Sequence, residues 1–574
     1  MSMHLPRHLL FVPLLALSLP ALAFGATWNP DPSLGNPDQH RRLYEIARTY
    51  AEKNFDPDAN LVGVPTHNPP NKKNHSVRES GYYAFALLLT GDPEDNTRAQ
   101  AIIKQILANQ EARPGNPNEG VFKWVDTDPA PVDLNSAEFV GLILANITDL
   151  DRKKPCLDPA LRAQIEAAGR LAVKAAMRRD VDPGYTNISF LSIALGAAGE
   201  KLWSVPGAGA FAQAKLDTVM TLAGGGEFYE YNCPTYTAVD IDGAYTARKY
   251  AFNDAFAAKA DAAIDHLWQL VAASYHAPTF QISGPFCRSY GEDMLQYASA
   301  LKYLLYLALD GAYPLPDVEI SHEWDKAGIG EMTTLPIGVR PEFKVPQSAW
   351  REFTATGPVN SPVRKLYQYK DGIFTLGTVA NQDEWVQKRN LAAYWRCDAS
   401  TPQGFRVGYC LEESNESLPR HFPYDQVHFV SQQQKGAAVV ALVSCPIVAG
   451  QGECALIFDP AATVAEGDAP GGPTRILDGS ITTYLYPITT NGGHYEGKPD
   501  YQGKPDIHFL RVTRSWSSSD VIGPFHVLSY LVVFRPSDQP APVVSDLVLK
   551  ANDTDGTASA TVDGAPLSVS FKKW

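Results

Sequence analysis

The sequence predicts two structural halves: an N-terminal (α/α) toroid over residues 24–340 and an antiparallel β-sheet domain, sandwich-like, over residues 341–574. Three observations carry that expectation. Apolar residues recur at helical spacing from residue 38 to about residue 315. Beyond about residue 345 the texture changes to alternating and β-branched runs with short turn-forming intervals. Nowhere do strands and helices alternate, which argues against a parallel sheet as the main core.

The first residues read as an export signal over 1–23. Arg7 marks a short basic start, the stretch from Leu9 to Leu22 is almost wholly apolar, and Ala21-Leu22-Ala23 offers a small-x-small cleavage pattern. Phe24 rather than a cysteine follows, so a lipid anchor is not expected. No later stretch is long and apolar enough to span a bilayer. The protein is therefore expected in a bacterial periplasm or outside the cell.

Ten helices follow, expected over 41–54, 76–90, 97–110, 137–147, 159–178, 188–199, 213–222, 239–251, 255–274 and 293–309. Breakers such as Gly91-Asp92-Pro93, Asp182-Pro183-Gly184 and Ser283-Gly284-Pro285 separate them. So many helices joined by short loops bury two sides each only in a closed arrangement, and a ring of helical hairpins provides it. No strict repeat is visible, which disfavours a solenoid. The proline-rich residues 311–345 form the connection. Strands are expected over 365–369, 373–378, 426–431, 437–444, 455–458, 481–487, 507–515, 526–534, 543–550, 559–562 and 567–571.

Composition excludes several classes of function. Hydrophobic residues are 45% and charged residues 20% of the 574, as in globular proteins with a large core. The net charge of −14 argues against a nucleic-acid partner. The glycines 224–226 lack the Lys-Ser/Thr of a phosphate loop, and neither a Gly-x-Ser-x-Gly elbow nor a His-Glu-x-x-His occurs. The seven cysteines are an odd number; Cys397 with Cys410, and Cys445 with Cys454, are spaced to close hairpin-sized loops. No cofactor is expected. His421, His428 and His526 are the candidates for a structural zinc or calcium ion in the sheet domain, and none is assigned. His494 reads as a loop residue between strands.

Chemistry concentrates where loops enter helices. Asn74 to Ser80, with His75 and Arg78, opens one helix. Asp133 to Glu138, with Asn135, opens another, and Gly184 to Asn187 a third. The densest stretch is Glu230-Tyr231-Asn232-Cys233-Pro234-Thr235-Tyr236, where Asn232 and Tyr236 share a helix start. Ser283 to Asp293, with Arg288 and Tyr290, precedes the last helix. Each segment alone would serve as an ordinary helix cap. In a ring, all of these corners point into one cleft.

The stretches Glu230 to Tyr236, Gly284 to Gly291 and Trp385 to Trp395 together resemble toroid polysaccharide lyases, the heparinase-like and alginate-lyase-like group. The resemblance implies an anionic polysaccharide or oligosaccharide substrate, cleaved by β-elimination beside a uronic acid. Elimination removes a weakly acidic C5 proton, so donors must stabilise the developing charge on the sugar carboxylate. Asn232 and Arg288 suit that task. Tyr236 or Tyr290 suits the base and acid roles, with His75 as a further base. Arg78, Asn135 and Asn187 are expected to hold substrate. The same corners carry Asp133 and Glu230, so an inverting glycoside hydrolase using that pair is the competing reading. A non-catalytic carbohydrate-binding protein is the third. The sequence does not specify the sugar.

Overall fold

The computed structural model describes residues 37–63, 74–224, 228–289, 292–295, 300–315, 345, 349, 353, 357–360, 366–383, 387–397, 406–413, 427–445, 453–465, 472–488, 510–515 and 521–573. The expected export signal, Tyr290, Trp385, His421 and His494 lie outside them.

Among the described residues ten helices appear: α1 (Pro37–Asn54), α2 (Val77–Thr90), α3 (Pro93–Ala108), α4 (Ser136–Lys153), α5 (Pro159–Arg179), α6 (Thr186–Trp203), α7 (Ala208–Ala223), α8 (Thr237–Lys249), α9 (Asp254–Ser274) and α10 (Ala300–Ala308). They form two concentric layers. In the inner layer α2 packs on α4, α4 on α6, α6 on α8 and α8 on α10, and α10 returns through α1 to α2. Behind them α3, α5, α7 and α9 form the outer layer, each packed on its hairpin partner. This is the expected (α/α) toroid. Its inner helices are apolar nearly all round, because both their faces meet protein. In α6 every residue from Thr186 to Gly199 is buried. Close inner packing needs small residues: a Cβ on Gly243 of α8 would lie 2.8 Å from the Phe190 carbonyl carbon in α6.

Local chemistry fixes the helix starts. Ser76 caps α2, its hydroxyl accepting the Glu79 N–H at 3.2 Å. Asp92 caps α3, with Pro93 at its first position, and Asn253 caps α9.

From residue 357 onward the described residues carry strands. A seven-stranded antiparallel sheet runs in the order Leu510–Ser515, Glu453–Phe458, Arg406–Glu413, Leu391–Cys397, Phe374–Val379, Leu366–Lys370, Gly357–Asn360. A second antiparallel sheet centres on Phe525–Pro536 between Ile481–Ile488 and Ala437–Ser444. Their facing side chains, among them Leu376, Phe458, Val440 and Val532, make one core, so the two sheets form a sandwich. A three-stranded sheet of Val544–Ala551, Asp555–Val562 and Ala565–Lys572 covers the outer face of the second sheet through Val569 and Phe571.

Two expectations are corrected. Large apolar side chains at the first strands, Trp385 and Trp395, are expected to pack the sheet domain against the toroid, the alternative being that both lie inside the sandwich. Trp395 lies inside the sandwich, 6.0 Å from the Phe534 ring, with its indole N–H donating to Asp478 at 3.1 Å. Side chains alternate across a strand, so the residue that faces the toroid is its neighbour Tyr394, which joins Phe286 there. The Cys397–Cys410 bridge is ruled out by strand register. Cys397 pairs with Arg406 and Cys410 with Ala393, which separates them by about 13 Å at roughly 3.3 Å per residue. Both are free thiols. The Cys445–Cys454 pairing falls outside the described side chains.

The toroid meets the first sheet through the segment between α9 and α10. Phe286 and Arg389 exchange backbone hydrogen bonds, each 2.9 Å, and the Ser289 N–H donates to the Gln387 carbonyl at 2.7 Å. The Gln368 amide donates to the Ser283 carbonyl at 2.8 Å. Gly377 sits so close to Gly284 that no side chain fits: a Cβ there would lie 1.6 Å from the Gly284 oxygen. Among the described residues no helix is long and apolar enough to cross a membrane.

Candidate active site

The starts of α2, α4, α6 and α8 converge on one mouth of the ring and enclose a cavity of about 150 Å³. Arg78 and Tyr82 come from α2, Asp133, Asn135 and Phe139 from the start of α4, and Tyr185 and Asn187 from the start of α6. Thr235, Tyr236 and Asp242 come from the start of α8, and Trp124 from the loop before α4. Four helix N-termini thus face one space, and their partial positive charge favours an anion there.

Arg288 organises one wall. Its guanidinium lies 4.2 Å over the Tyr236 ring, with Nη2 3.3 Å from the Tyr236 hydroxyl oxygen. Nη1 donates to Glu230 Oε1 at 2.9 Å, and Nε donates to Gln387 of the sheet domain at 2.8 Å. Glu230 Oε2 accepts both the backbone N–H and the side-chain amide of Asn187, at 2.8 and 2.7 Å. That leaves Asn187 Oδ1 buried with no hydrogen-bond partner.

Arg78 organises the opposite wall. Its guanidinium lies 5.3 and 5.4 Å from the Trp124 and Phe139 rings, which sit side by side 5.6 Å apart, and Nε donates to Glu79 Oε1 at 2.8 Å. Burial opposes the charge on Arg78, but Glu79, Tyr82 and Tyr236 outweigh it and raise its pKa. Below lies a polar chain. Trp124 donates to Asp133 at 2.9 Å, Asn135 donates to the Tyr185 hydroxyl at 3.1 Å, and Arg179 donates to Asn135 Oδ1 at 2.7 Å. Arg179 also stands 3.9 Å from Glu138, whose carboxyl burial pushes up to about 7. Burial, with Glu230 and Cys233 adding to it, raises the Asp240 carboxyl well above its ordinary range.

The structure therefore brings Arg78, Asp133, Asn135, Asn187 and Tyr236 to the cavity, with Glu230 and Arg288 bonded directly behind them. Two candidates are not brought in. Asn232 takes a left-handed backbone conformation at φ 45°, and its amide N–H groups donate to the Ser283 and Pro285 carbonyls, the latter at 2.8 Å. That amide is spent on holding the 283–287 segment and does not serve a sugar carboxylate. His75 is buried with Nδ1 2.9 Å from Asp126 and Nε2 3.3 Å from Asp56. Both ring nitrogens face carboxylates, so neither reaches a substrate proton. Tyr290 lies outside the described residues.

Sequence reasoning passed over Tyr82, Trp124, Phe139, Arg179 and Gln387. Tyr82 and Phe139 sit one helical turn past Arg78 and Asn135, on the same helix faces, so helical spacing could have found them. Trp124, Arg179 and Gln387 meet the site only through tertiary folding. Among the described residues no group of three or more His, Cys, Asp and Glu could hold a metal ion.

No curated protein sequence matches the chain. Among solved structures, heparinase III is similar at 10% identity and a TM-score of 0.49, over 96% of this chain and 94% of that one. A mutant of heparan sulfate lyase HepC from Pedobacter heparinus is similar at 10% identity and a TM-score of 0.40, over 95% and 92% of the two chains. A mutant chondroitin AC lyase from Streptomyces coelicolor A3 is similar at 12% identity and a TM-score of 0.39, over 91% and 84%. Residues 41–334, just over half of the chain, match the family model described as "Domain of unknown function (DUF8769)", and the chain belongs to that family.

Proposed function

We propose that the cavity binds a uronic-acid-containing polysaccharide and cleaves it by β-elimination, with Tyr236 as the group that moves the proton. The observation that carries this reading is Tyr236, which lines the cavity and has its hydroxyl oxygen 3.3 Å from Arg288 Nη2. Elimination needs a base close to the sugar C5 and a cation that offsets charge as the base works. Arg288 stands where it stabilises the phenolate form of Tyr236, and Glu230 and Gln387 hold it in that pose. Across the cavity, Arg78 and the helix N-termini supply the attraction for the sugar carboxylate, the role first expected of Asn232 and Arg288. Tyr236 works as the phenolate: it takes the C5 proton, the C4–O bond breaks, and the phenol so formed gives that proton to the leaving oxygen, which restores the phenolate. The Asn187 Oδ1 atom, buried and without a partner, supplies an acceptor for a sugar hydroxyl.

The hydrolase pair of Asp133 and Glu230 fits less well. Glu230 does not line the cavity, and both its oxygens are taken by Arg288 and Asn187.

The test is absorbance at about 235 nm, where the unsaturated uronate of an elimination absorbs, across a panel of uronate polymers. Tyr236→Phe is expected to lower kcat by about 10²–10⁴-fold while binding is retained, since it removes only the proton-transfer group. Glu230→Gln is expected to cost less, through a loosened Arg288. New reducing ends without the absorbing product, or an active Tyr236→Phe beside a dead Glu230→Gln, would end the lyase reading.

A further inference from the structure

We propose that Tyr185 contacts the bound sugar as a hydrogen-bond donor, and that a relay from Arg179 through Asn135 fixes its hydroxyl in that sense. The inference rests on the reading of the cavity as a uronate-binding site and assigns it one more contact, together with the residues that aim it.

An amide and a phenol can exchange a hydrogen bond in either direction, so a third group decides which of them donates. Arg179, the last residue of α5, decides it here. A guanidinium carries only donors, and Arg179 Nη1 donates to Asn135 Oδ1 at 2.7 Å. The Asn135 amide nitrogen is thereby turned the other way and donates to the Tyr185 hydroxyl oxygen at 3.1 Å. A second neighbour agrees with that orientation: the same nitrogen lies 3.5 Å from Asp133 Oδ2, and a carboxylate only accepts. The Tyr185 oxygen therefore receives one proton from Asn135. The proton it carries itself is directed to a different acceptor.

The cavity is where that acceptor stands. Tyr185 closes the turn that begins at Asp182, caps the start of α6, and lines the cavity beside Asn135 and Asn187. The Arg288 guanidinium lies 5.9 Å from the Tyr185 ring and 4.2 Å from the Tyr236 ring, so both phenols neighbour one cation. The ligand that suits a phenol held as a donor is a sugar oxygen with a free lone pair, and a carboxylate oxygen gains most, because a bond to a charged acceptor is the stronger kind. Arg179 does not line the cavity. Glu138 stands 3.9 Å from its Nη1, beyond hydrogen-bond reach, which leaves the Asn135 amide as the group this nitrogen bonds. Arg179 is thus a positioning residue, acting on substrate through Asn135 and Tyr185.

The experiment uses the full-length Tyr236→Phe protein, expected to bind substrate without turning it over, and hexasaccharides of glucuronan, alginate, heparosan and chondroitin. Binding is measured by calorimetry. For the best-bound hexasaccharide, Tyr185→Phe in this background is expected to weaken binding about tenfold, since it deletes one hydroxyl and keeps the ring. Arg179→Met keeps the length of the side chain and loses every donor, which lets the Asn135 amide turn over; it is expected to weaken binding at least about threefold. Added to Tyr185→Phe, the same change is expected to cost less than about twofold more, because both variants remove one contact. Arg179→Lys restores a donor and is expected to recover most of the affinity. A Tyr185→Phe protein that binds within about twofold of its parent overturns the proposal. So do losses that multiply in the double variant, which would make Arg179 a structural support and nothing more. Absence of binding to every hexasaccharide overturns it together with the uronate reading. The lyase reading fails separately: binding that depends on Tyr185 and Arg179 in this way, beside a wild-type protein that yields no unsaturated product on any polymer, would retain the contact and discard the elimination.

Discussion

Glu138 offers a quantitative test of the polar chain beneath the cavity. Its side chain is fully buried on α4, the Ser192 hydroxyl donates to it at 3.0 Å, and Arg179 stands 3.9 Å away. Burial is the largest influence on this carboxyl; Arg179, the local backbone and Ser192 only partly offset it, and the pKa rises from 4.5 to about 7. In the unfolded chain the carboxyl ionises near its ordinary value. Between the two values the folded protein keeps a proton that the unfolded chain has released. The folded state therefore has its full advantage below the unfolded value and loses it as pH rises toward the folded one. At about 1.4 kcal/mol per tenfold change in proton affinity, the loss is about 3 kcal/mol. Glu138→Gln mimics the neutral acid and cannot ionise. Its stability should match wild type within about 1 kcal/mol near pH 5 and exceed it by about 3 kcal/mol near pH 8. Thermal melts of the two proteins across that range measure the gap, which should appear as a Tm difference of several degrees at the alkaline end. A gap that stays constant from acid to alkaline pH, or a variant less stable than wild type at about pH 8, refutes the argument.

The other two predictions concern Asn232 and His75, whose side chains are engaged away from the cavity. Asn232→Ala removes both donors to the 283–287 segment and should cost about 1–3 kcal/mol of stability, measured by chemical denaturation. If the cavity reading is right, it should also raise KM, because Arg288 directly follows that segment. His75→Ala leaves Asp56 and Asp126 without their shared partner. It should lower Tm by several degrees while kcat on any active polymer stays within about threefold of wild type, whereas a base would cost about 10²-fold or more.

The fold was legible because its signals are local and repeated. Every expected helix is present, and α1, α4, α6 and α7 run about a turn or more longer than expected, since spacing marks a buried face better than it marks an end. The strands Leu391–Cys397 and Arg406–Glu413 escaped notice. Ala392 and Ala393 have low strand propensity, and the first strand is buried on both faces, so it shows no polar alternation. The cavity was legible where chemistry sits at a helix start, as with Arg78, Asn187 and Tyr236. It was misread at Asn232, whose position resembles that of Tyr236 in sequence. The left-handed turn at Asn232 sends its amide toward the chain instead of the cleft. His75 was misread for a related reason: its partners are 19 and 51 residues away, and no local pattern announces them.

Gln387 carries a consequence for how this chain can be taken apart. Arg288 lies within the matched family segment of residues 41–334, but the side chain that fixes its Nε comes from beyond it. The unit of inheritance and the unit of chemistry therefore have different ends. A relative in which the helical ring is joined to an unrelated sheet domain would inherit Tyr236, Glu230 and Arg288 yet lack the third tether, and its arginine would be free to swing off the phenol ring. Grafting the ring onto a new partner should thus transfer the shape of the cleft without the fixed pose of Arg288, unless a glutamine or an equivalent acceptor is supplied at the seam.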